Sequence, residues 1–254
     1  MVHLGIIGVG TIGSYLVKNI TQEANIVFVL DQDKSRLDLV NANKAITSLS
    51  QLPNQKIDLI VETATATCLI ENIATILSKA DLLPFSLTAF AHREFSEQVN
   101  SLCKMHQRRI FIPHGAILGI DGLWDGRGVL ETVSVTTTKN PANLDGRHDT
   151  RRTVVYEGPT RDACKLFPRN VNVHAALAIA GLGFDHTMSR IISDPEAKSM
   201  SHLIEAKAAG VEFRIEVSSR PLKGVTGAYT PESALNTLRR VVSRYHEAVG
   251  ICLA

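Results

Sequence analysis

Hydrophobic runs of strand length alternate with amphipathic stretches of helix length along the first half of the chain. The runs HLGIIGVG, NIVFVLD, IDLIVETA and LLPFSLTAFA are separated by TIGSYLVKNITQE, CLIENIATILSKA and REFSEQVNSLCKMHQ, and another strand-like run follows at RRIFIPHGA. Such alternation predicts βαβ units around a parallel sheet. In CLIENIATILSKA, Leu69, Ile73, Ile76 and Leu77 fall on one stripe, as a helix covering a sheet requires.

After Pro113 the pattern changes. LETVSVTTTKNP, RTVVYEGP, TMSRIISDP, SHLIEAKAA and VEFRIEVSS are strand-like, several with period two, and the clear helical windows are TRDACKLF and NVNVHAALAIAG. A mostly antiparallel sheet with helices on one face is expected. The closing TPESALNTLRRVVSRYHEAVG offers Thr230 as N-cap, Pro231 at the first helical position, and Leu235, Leu238, Val242 and Tyr245 along one face. The expected class is therefore α/β: a parallel-sheet domain over residues 1–112, completed by the closing helix at 230–254, and a second, α+β domain with a mostly antiparallel sheet over 113–229. The loop Asn140–Arg152 is the most polar segment and is expected to be the most mobile.

A chain of 254 residues can bury a substantial core, as one large domain or two small ones. Hydrophobic content of 44%, charged content of 20% and a net charge of +2 point away from disorder, a nucleic-acid footprint or a polybasic membrane patch. A small-molecule partner is expected instead. The longest apolar stretch, Ala175–Phe184, is too short and glycine-broken to span a bilayer. A strand pattern starting almost at Met1 leaves no room for a secretory leader, so the protein is read as cytoplasmic. Cys68, Cys103, Cys164 and Cys252 show neither C-x-x-C nor metal-ligand spacing, which predicts reduced structural thiols and no metal.

GVGTIG is G-x-G-x-x-G at Gly8, Gly10 and Gly13, with Thr11 and Ile12 between the last two. Alone, the triplet fits any strand-to-helix turn. Its context is sharper: Gly8 permits a tight turn, Gly10 lets backbone approach a pyrophosphate, Gly13 allows close helix–strand packing, and the helix N-terminus favours the anion. The next strand ends in Asp31, where a carboxylate would accept the adenosine ribose hydroxyls and repel a 2′-phosphate. NAD is the expected cofactor, and Lys34 and Arg36 nearby leave NADP open.

Four blocks carry a family resemblance: SLTAFA at Ser86–Ala91, PHGAILGIDGL at Pro113–Leu123, EGPTRDACKLFPRNVNVHAALAIAGLGFD at Glu157–Asp185, and DPEAKSMSHLIE at Asp194–Glu205. Through them the chain resembles the L-aspartate dehydrogenase family over nearly its whole length. The resemblance implies a Rossmann domain followed by a catalytic domain, a homodimer, and NAD(P)-dependent oxidation of L-aspartate to iminoaspartate. That product feeds NAD synthesis or hydrolyses to oxaloacetate and ammonia. The resemblance also puts the catalytic histidine at His202 and nicotinamide-side contacts at Ala116 and Asn172. Family members commonly read P-S-G-A where this chain has Pro113-His114-Gly115-Ala116, which leaves the nicotinamide pocket and substrate choice open.

Oxidising an amino acid to its imine requires a neutral amine, a hydride path, and groups for the carboxylates. Histidine titrates in the range that suits the proton transfer. His202 is the expected acid–base group, with His114 as runner-up and, alongside Lys139, a substrate-binding candidate. Lys139, in TTTKNP, is a cation at a strand end. Arg169 reads more simply as an exposed helix-start arginine. Asn170 and Asn172 suit caps of the following helix, so only the resemblance promotes Asn172. His174, on an apolar helix, and His92, His106 and His246, on helix surfaces, read as structural, while His3, His148 and His186 carry no signal. Two competing readings remain. One is a related dehydrogenase or reductase of the same architecture, although no H-H-x-x-K block is present. The other is a catalytically silent NAD(P)-binding sensor or scaffold, which His202 and Lys139 argue against and His114 keeps open.

Overall fold

The structure, a computed structural model, describes residues 1–20, 22–39, 44–144, 146–223 and 226–245. His246, Cys252 and the end of the expected closing helix lie outside the described residues. Two compact units are present. The first comprises Met1–Ser86, Glu97–Pro113 and Pro231–Ala254, and the second Leu87–Ser96 and His114–Thr230.

In the first unit β1 (Val2–Ile7), β2 (Ala24–Leu30), β3 (Ala45–Ile46), β4 (Leu59–Glu62) and β5 (Asp81–Pro84) form a parallel sheet in the order β3-β2-β1-β4-β5. Leu4, Ile6, Val29, Leu59, Val61 and Leu83 are buried in it, the near-continuous apolar runs of a sheet covered on both faces. Helices α1 (Thr11–Asn19), α2 (Ala66–Lys79) and α3 (Arg93–His106) follow the sequence pattern, and the α2 stripe Leu69, Ile73, Ile76 and Leu77 is buried.

Two runs fall short of the strands expected of them. RRIFIPHGA makes a single parallel bridge between Ile110 and Leu82, and Pro113 beyond it has no N–H with which to extend a ladder. The LLPFSLTAFA run leaves the sheet after Pro84 and coils into a 3-10 turn at Leu87–Ala91. The cause is Glu62, whose carboxylate takes both the N–H and the hydroxyl of Ser86.

The second unit contains α4 (Ile120–Gly126), absent from the sequence pattern, then β6 (Leu130–Lys139), β7 (Thr153–Pro159), α5 (Thr160–Leu166), α6 (Asn172–Ala180), β8 (Thr187–Ser193), β9 (Met200–Ala208) and β10 (Val211–Ser219). The strand order is β10-β9-β6-β8-β7. Only β6 and β8 run parallel, so the sheet is mostly antiparallel as expected. Alternate residues of β6, namely Val133, Val135, Thr137 and Lys139, are buried, as are Met200, His202 and Ile204 of β9. Helix α6 packs on this face, and its Ala175, Ala176, Leu177 and Ala178 are buried too. The face is apolar at Val133 and becomes polar toward Lys139.

The last helix, α7 (Thr230–Ser243), starts one residue before the expected position, within ordinary boundary scatter. Its Leu235, Leu238 and Val242 join Val2, Leu4, Ile6 and Leu16 in one core, with Tyr245 packed against it. Among the described residues no helix is long and apolar enough to cross a membrane.

Candidate functional site

At the C-terminal end of β1 the chain turns at Gly8, whose φ of 90° suits glycine. A Cβ there would lie 2.7 Å from the Ala64 nitrogen, and one on Gly13 would lie 2.6 Å from Thr63 Oγ1. A Cβ on Gly10 would instead enter open space, with nothing within 4 Å. Gly10 is also the N-cap of α1, where no side chain caps the helix, and the opening N–H groups of a helix have no partner within it. Two glycines are thus explained by close packing and the third by a vacant approach to a helix N-terminus. That arrangement fits a pyrophosphate.

Asp31 follows β2 and is largely buried. Its Oδ2 accepts from Val9 N at 2.7 Å and its Oδ1 from Asp33 N at 3.0 Å, with Arg36 Nη1 3.7 Å from Oδ2. Gly8, Gly10, Thr11, Ile12, Gly13 and Asp31 are therefore brought together around one turn, and Asp31 helps to hold it.

The second unit gathers the polar end of its sheet. Thr137 and His202 are paired neighbours on β6 and β9, and Lys139 lies two residues beyond Thr137 on the same face. His202 is only 3% exposed, and its Nδ1 lies 2.8 Å from Thr137 Oγ1. Burial first, and the Lys139 charge second, push its pKa down to about 3, so the ring is neutral at physiological pH. Lys139 Nζ, also buried, donates to the Asn170 carbonyl at 3.2 Å and to Asn170 Oδ1 at 3.3 Å.

The asparagines do not cap α6 as expected. The N-cap is Val171, with no side-chain cap bond. Asn170 serves Lys139 instead, and Asn172 Oδ1 accepts from Thr88 N at 3.1 Å, fastening α6 to the Leu87–Ala91 turn. His114 and Ala116 lie half-buried in a turn closed by Ile117 N donating to the His114 carbonyl at 3.3 Å.

His174, read from sequence as structural, is fully buried, and its Nε2 lies 2.6 Å from the same Thr137 hydroxyl that meets His202. Thr137 and His174 are the members of this group that the sequence did not single out. The available signal was a hydroxyl on the buried face of β6, between Val135 and Lys139. Burial pushes the Cys68 thiol up to about 11 and Cys164 to about 12, so neither is a thiolate at neutral pH. Among the described residues no cluster of His, Cys, Asp or Glu could hold a metal ion.

Comparison with known proteins covers the chain in two parts. A family model described as "Aspartate dehydrogenase, C-terminal" matches residues 123–241, and one described as "Homoserine dehydrogenase, NAD binding domain" matches residues 8–113. The L-aspartate dehydrogenase of Nitrosopumilus maritimus (strain SCM1) is 30% identical over 265 residues, spanning 96% of this chain and 97% of that protein. That of Thermotoga sp. (strain RQ2) is 32% identical over 242 residues, spanning 94% and 97%. The crystal structure of aspartate dehydrogenase from Thermotoga maritima superposes with a TM-score of 0.81 at 25% identity, over 99% of each chain.

Proposed function

We propose, since the chain belongs to the L-aspartate dehydrogenase family, that this oxidoreductase converts L-aspartate to iminoaspartate with NAD(P), using His202 as its acid–base group. The observation that carries the reading is the buried polar end of the second sheet, where His202, Thr137 and Lys139 share one face. Bound NAD(P) supplies the acceptor for the hydride that leaves Cα with its electron pair.

Gly8, Gly10, Thr11, Ile12 and Gly13 hold the pyrophosphate, Asp31 accepts the ribose hydroxyls, and Ala116 and Asn172 serve the nicotinamide end. Lys139, with His114, receives the substrate carboxylates. The neutral His202 imidazole takes a proton from the substrate ammonium, and the nitrogen lone pair so released forms the C=N bond as the hydride departs. Burial is the main cause of the His202 depression and the Lys139 charge the lesser one; a carboxylate seated beside Lys139 offsets the lesser and so raises the basicity of His202 in part when substrate binds. Iminoaspartate then hydrolyses to oxaloacetate and ammonia, or supplies NAD synthesis. NAD is preferred over NADP. The reading includes a homodimer acting in the cytoplasm, with residues 113–229 as the catalytic and dimerisation domain.

Formation of reduced nicotinamide by the purified protein tests this reading. L-aspartate is expected to support turnover well beyond L-alanine or L-glutamate. In His202→Ala, kcat should fall by roughly two to four orders of magnitude while NAD still binds. Turnover with another amino acid and none with L-aspartate would overturn the substrate, and a fully active His202→Ala would overturn the base.

A further inference from the structure

Behind His202 a line of polar side chains runs through the packed interior of the second unit. His202 Nδ1 lies 2.8 Å from Thr137 Oγ1, which lies 2.6 Å from His174 Nε2. His174 Nδ1 lies 2.8 Å from Ser189 Oγ, and Ser189 Oγ 2.7 Å from Thr160 Oγ1. Thr160 Oγ1 finally donates to the Thr187 carbonyl at 2.9 Å. All five side chains are buried, and the α6 helix that carries His174 is otherwise almost entirely Ala, Leu, Ile and Val.

The last acceptor sets the direction of every proton in the line. A carbonyl oxygen can only accept, so the single hydroxyl proton of Thr160 goes to Thr187 O. Thr160 Oγ1 must then accept from Ser189, and Ser189, having donated, accepts from His174 Nδ1–H. Burial, with the Lys139 charge adding to it, holds His174 well below its ordinary range, so its ring carries one N–H and its Nε2 accepts from Thr137. Thr137 Oγ1 in turn accepts from His202 Nδ1–H. Reversing the line would leave the Thr160 and Thr187 oxygens 2.9 Å apart with no proton between them, inside a medium that penalises such a pair.

We infer that Thr137, His174, Ser189 and Thr160 are positioning residues that lock His202 in its Nδ1–H tautomer and so present the Nε2 lone pair as the base. The inference rests on the acid–base role proposed for His202. The lock serves both charge states, because a ring protonated at Nε2 still donates from Nδ1 to Thr137 and no hydroxyl has to turn. Nor is the line a proton exit: it stops on a backbone carbonyl, so a proton gained at Nε2 must leave from Nε2.

Nitrogen-15 histidine spectra of the native enzyme read the tautomer directly, with His202 assigned by its loss in His202→Gln. A protonated Nδ1 and a bare Nε2 are expected at neutral pH, and the opposite tautomer overturns the inference. In His174→Phe, Thr137 loses its acceptor and can turn its proton toward His202 Nδ1. The His202 signals should move toward the Nε2–H form, and kcat should fall about 10- to 100-fold, the usual worth of an outer hydrogen-bond partner, with little change in KM for L-aspartate or NAD. His174→Gln, whose carboxamide oxygen can accept from Thr137, should recover most of kcat and the native tautomer. A folded His174→Phe with native kcat and native tautomer, beside an inactive His202→Ala, would overturn the positioning role alone. An active His202→Ala would overturn the role and the acid–base assignment together.

Discussion

At Asp31 the carboxylate expected to meet a ribose already holds the N–H groups of Val9 and Asp33, so its removal acts on the turn as well as on the cofactor. Asp31→Ser should let NADP gain on NAD by roughly tenfold or more in kcat/KM, because a charge facing the 2′-phosphate disappears and Arg36, 3.7 Å away, is released to receive it. The same change should cost about 1–3 kcal/mol of stability, since the buried Val9 N–H loses its acceptor. Cofactor kinetics and a thermal melt on one mutant measure both. Lys139→Ala should raise KM for L-aspartate far more than KM for NAD. Its melting temperature should also fall, because Asn170 O and Oδ1 lose their buried donor. An unchanged KM for the amino acid would make Lys139 a purely structural cation. The glycine turn and Asp31 were legible because one short motif and the end of one strand carry them. His174 was not, since hydrophobic periodicity treats an imidazole on VHAALAIAG as an interruption of a packed helix. What makes it a partner of His202 is a hydroxyl on β6, and pairing across distant segments is invisible in a linear pattern.

The same limit appears among the elements. Strands with their own alternation, such as β6 and β9, and helices with a clean stripe, such as α2 and α7, are visible in sequence because their burial follows their own period. RRIFIPHGA and LLPFSLTAFA were misread because their apolar runs are ended by events outside them, Pro113 in one case and Glu62 in the other. Glu62 closes β4 with no exposed surface: Oε1 accepts from Ala64 N at 2.7 Å and from Ser86 Oγ at 2.8 Å, and Oε2 from Ser86 N at 3.1 Å. It thereby fixes the turn after β4, whose Ala64 nitrogen would stand 2.7 Å from a Cβ on Gly8, to the turn after β5. Glu62→Gln sets an NH2 group against one of these donors. The loss should be about 1–3 kcal/mol of stability, with weaker NAD binding and a smaller effect on kcat. Thermal melting beside NAD titration decides it, and a variant that melts and binds like the parent would leave the two turns held by something else.

Between about pH 5.5 and 7.5 the buried groups that set the pH dependence of stability shift in opposite directions in the two units. In the second, His202 is depressed to about 3 and His174 well below its ordinary value, chiefly by burial. Below about pH 6.5 the unfolded chain gains protons at these two positions that the folded unit refuses, so its stability falls with pH. In the first, burial raises Glu62 to about 7, against the pull of its N–H and O–H donors. There the folded state binds a proton that the unfolded carboxyl lacks until about pH 4.5, so stability rises as pH drops from 7. Each fully differential proton is worth about 1.4 kcal/mol per pH unit. Moving from pH 7.5 to 5.5 should therefore weaken the second unit and strengthen the first, splitting urea denaturation into two steps, the earlier one in the second unit. Trp124, in α4, reports on the second unit by fluorescence, while circular dichroism follows both. His174→Phe should lessen the acid shift of the fluorescence step, and Glu62→Gln should abolish the acid gain of the other while leaving the fluorescence step in place. In Glu62→Gln, where no opposing acid gain remains, a fluorescence step with the same midpoint at both pH values would mean that neither buried histidine is held neutral against protonation, and the neutral ring on which the base assignment depends would go with it.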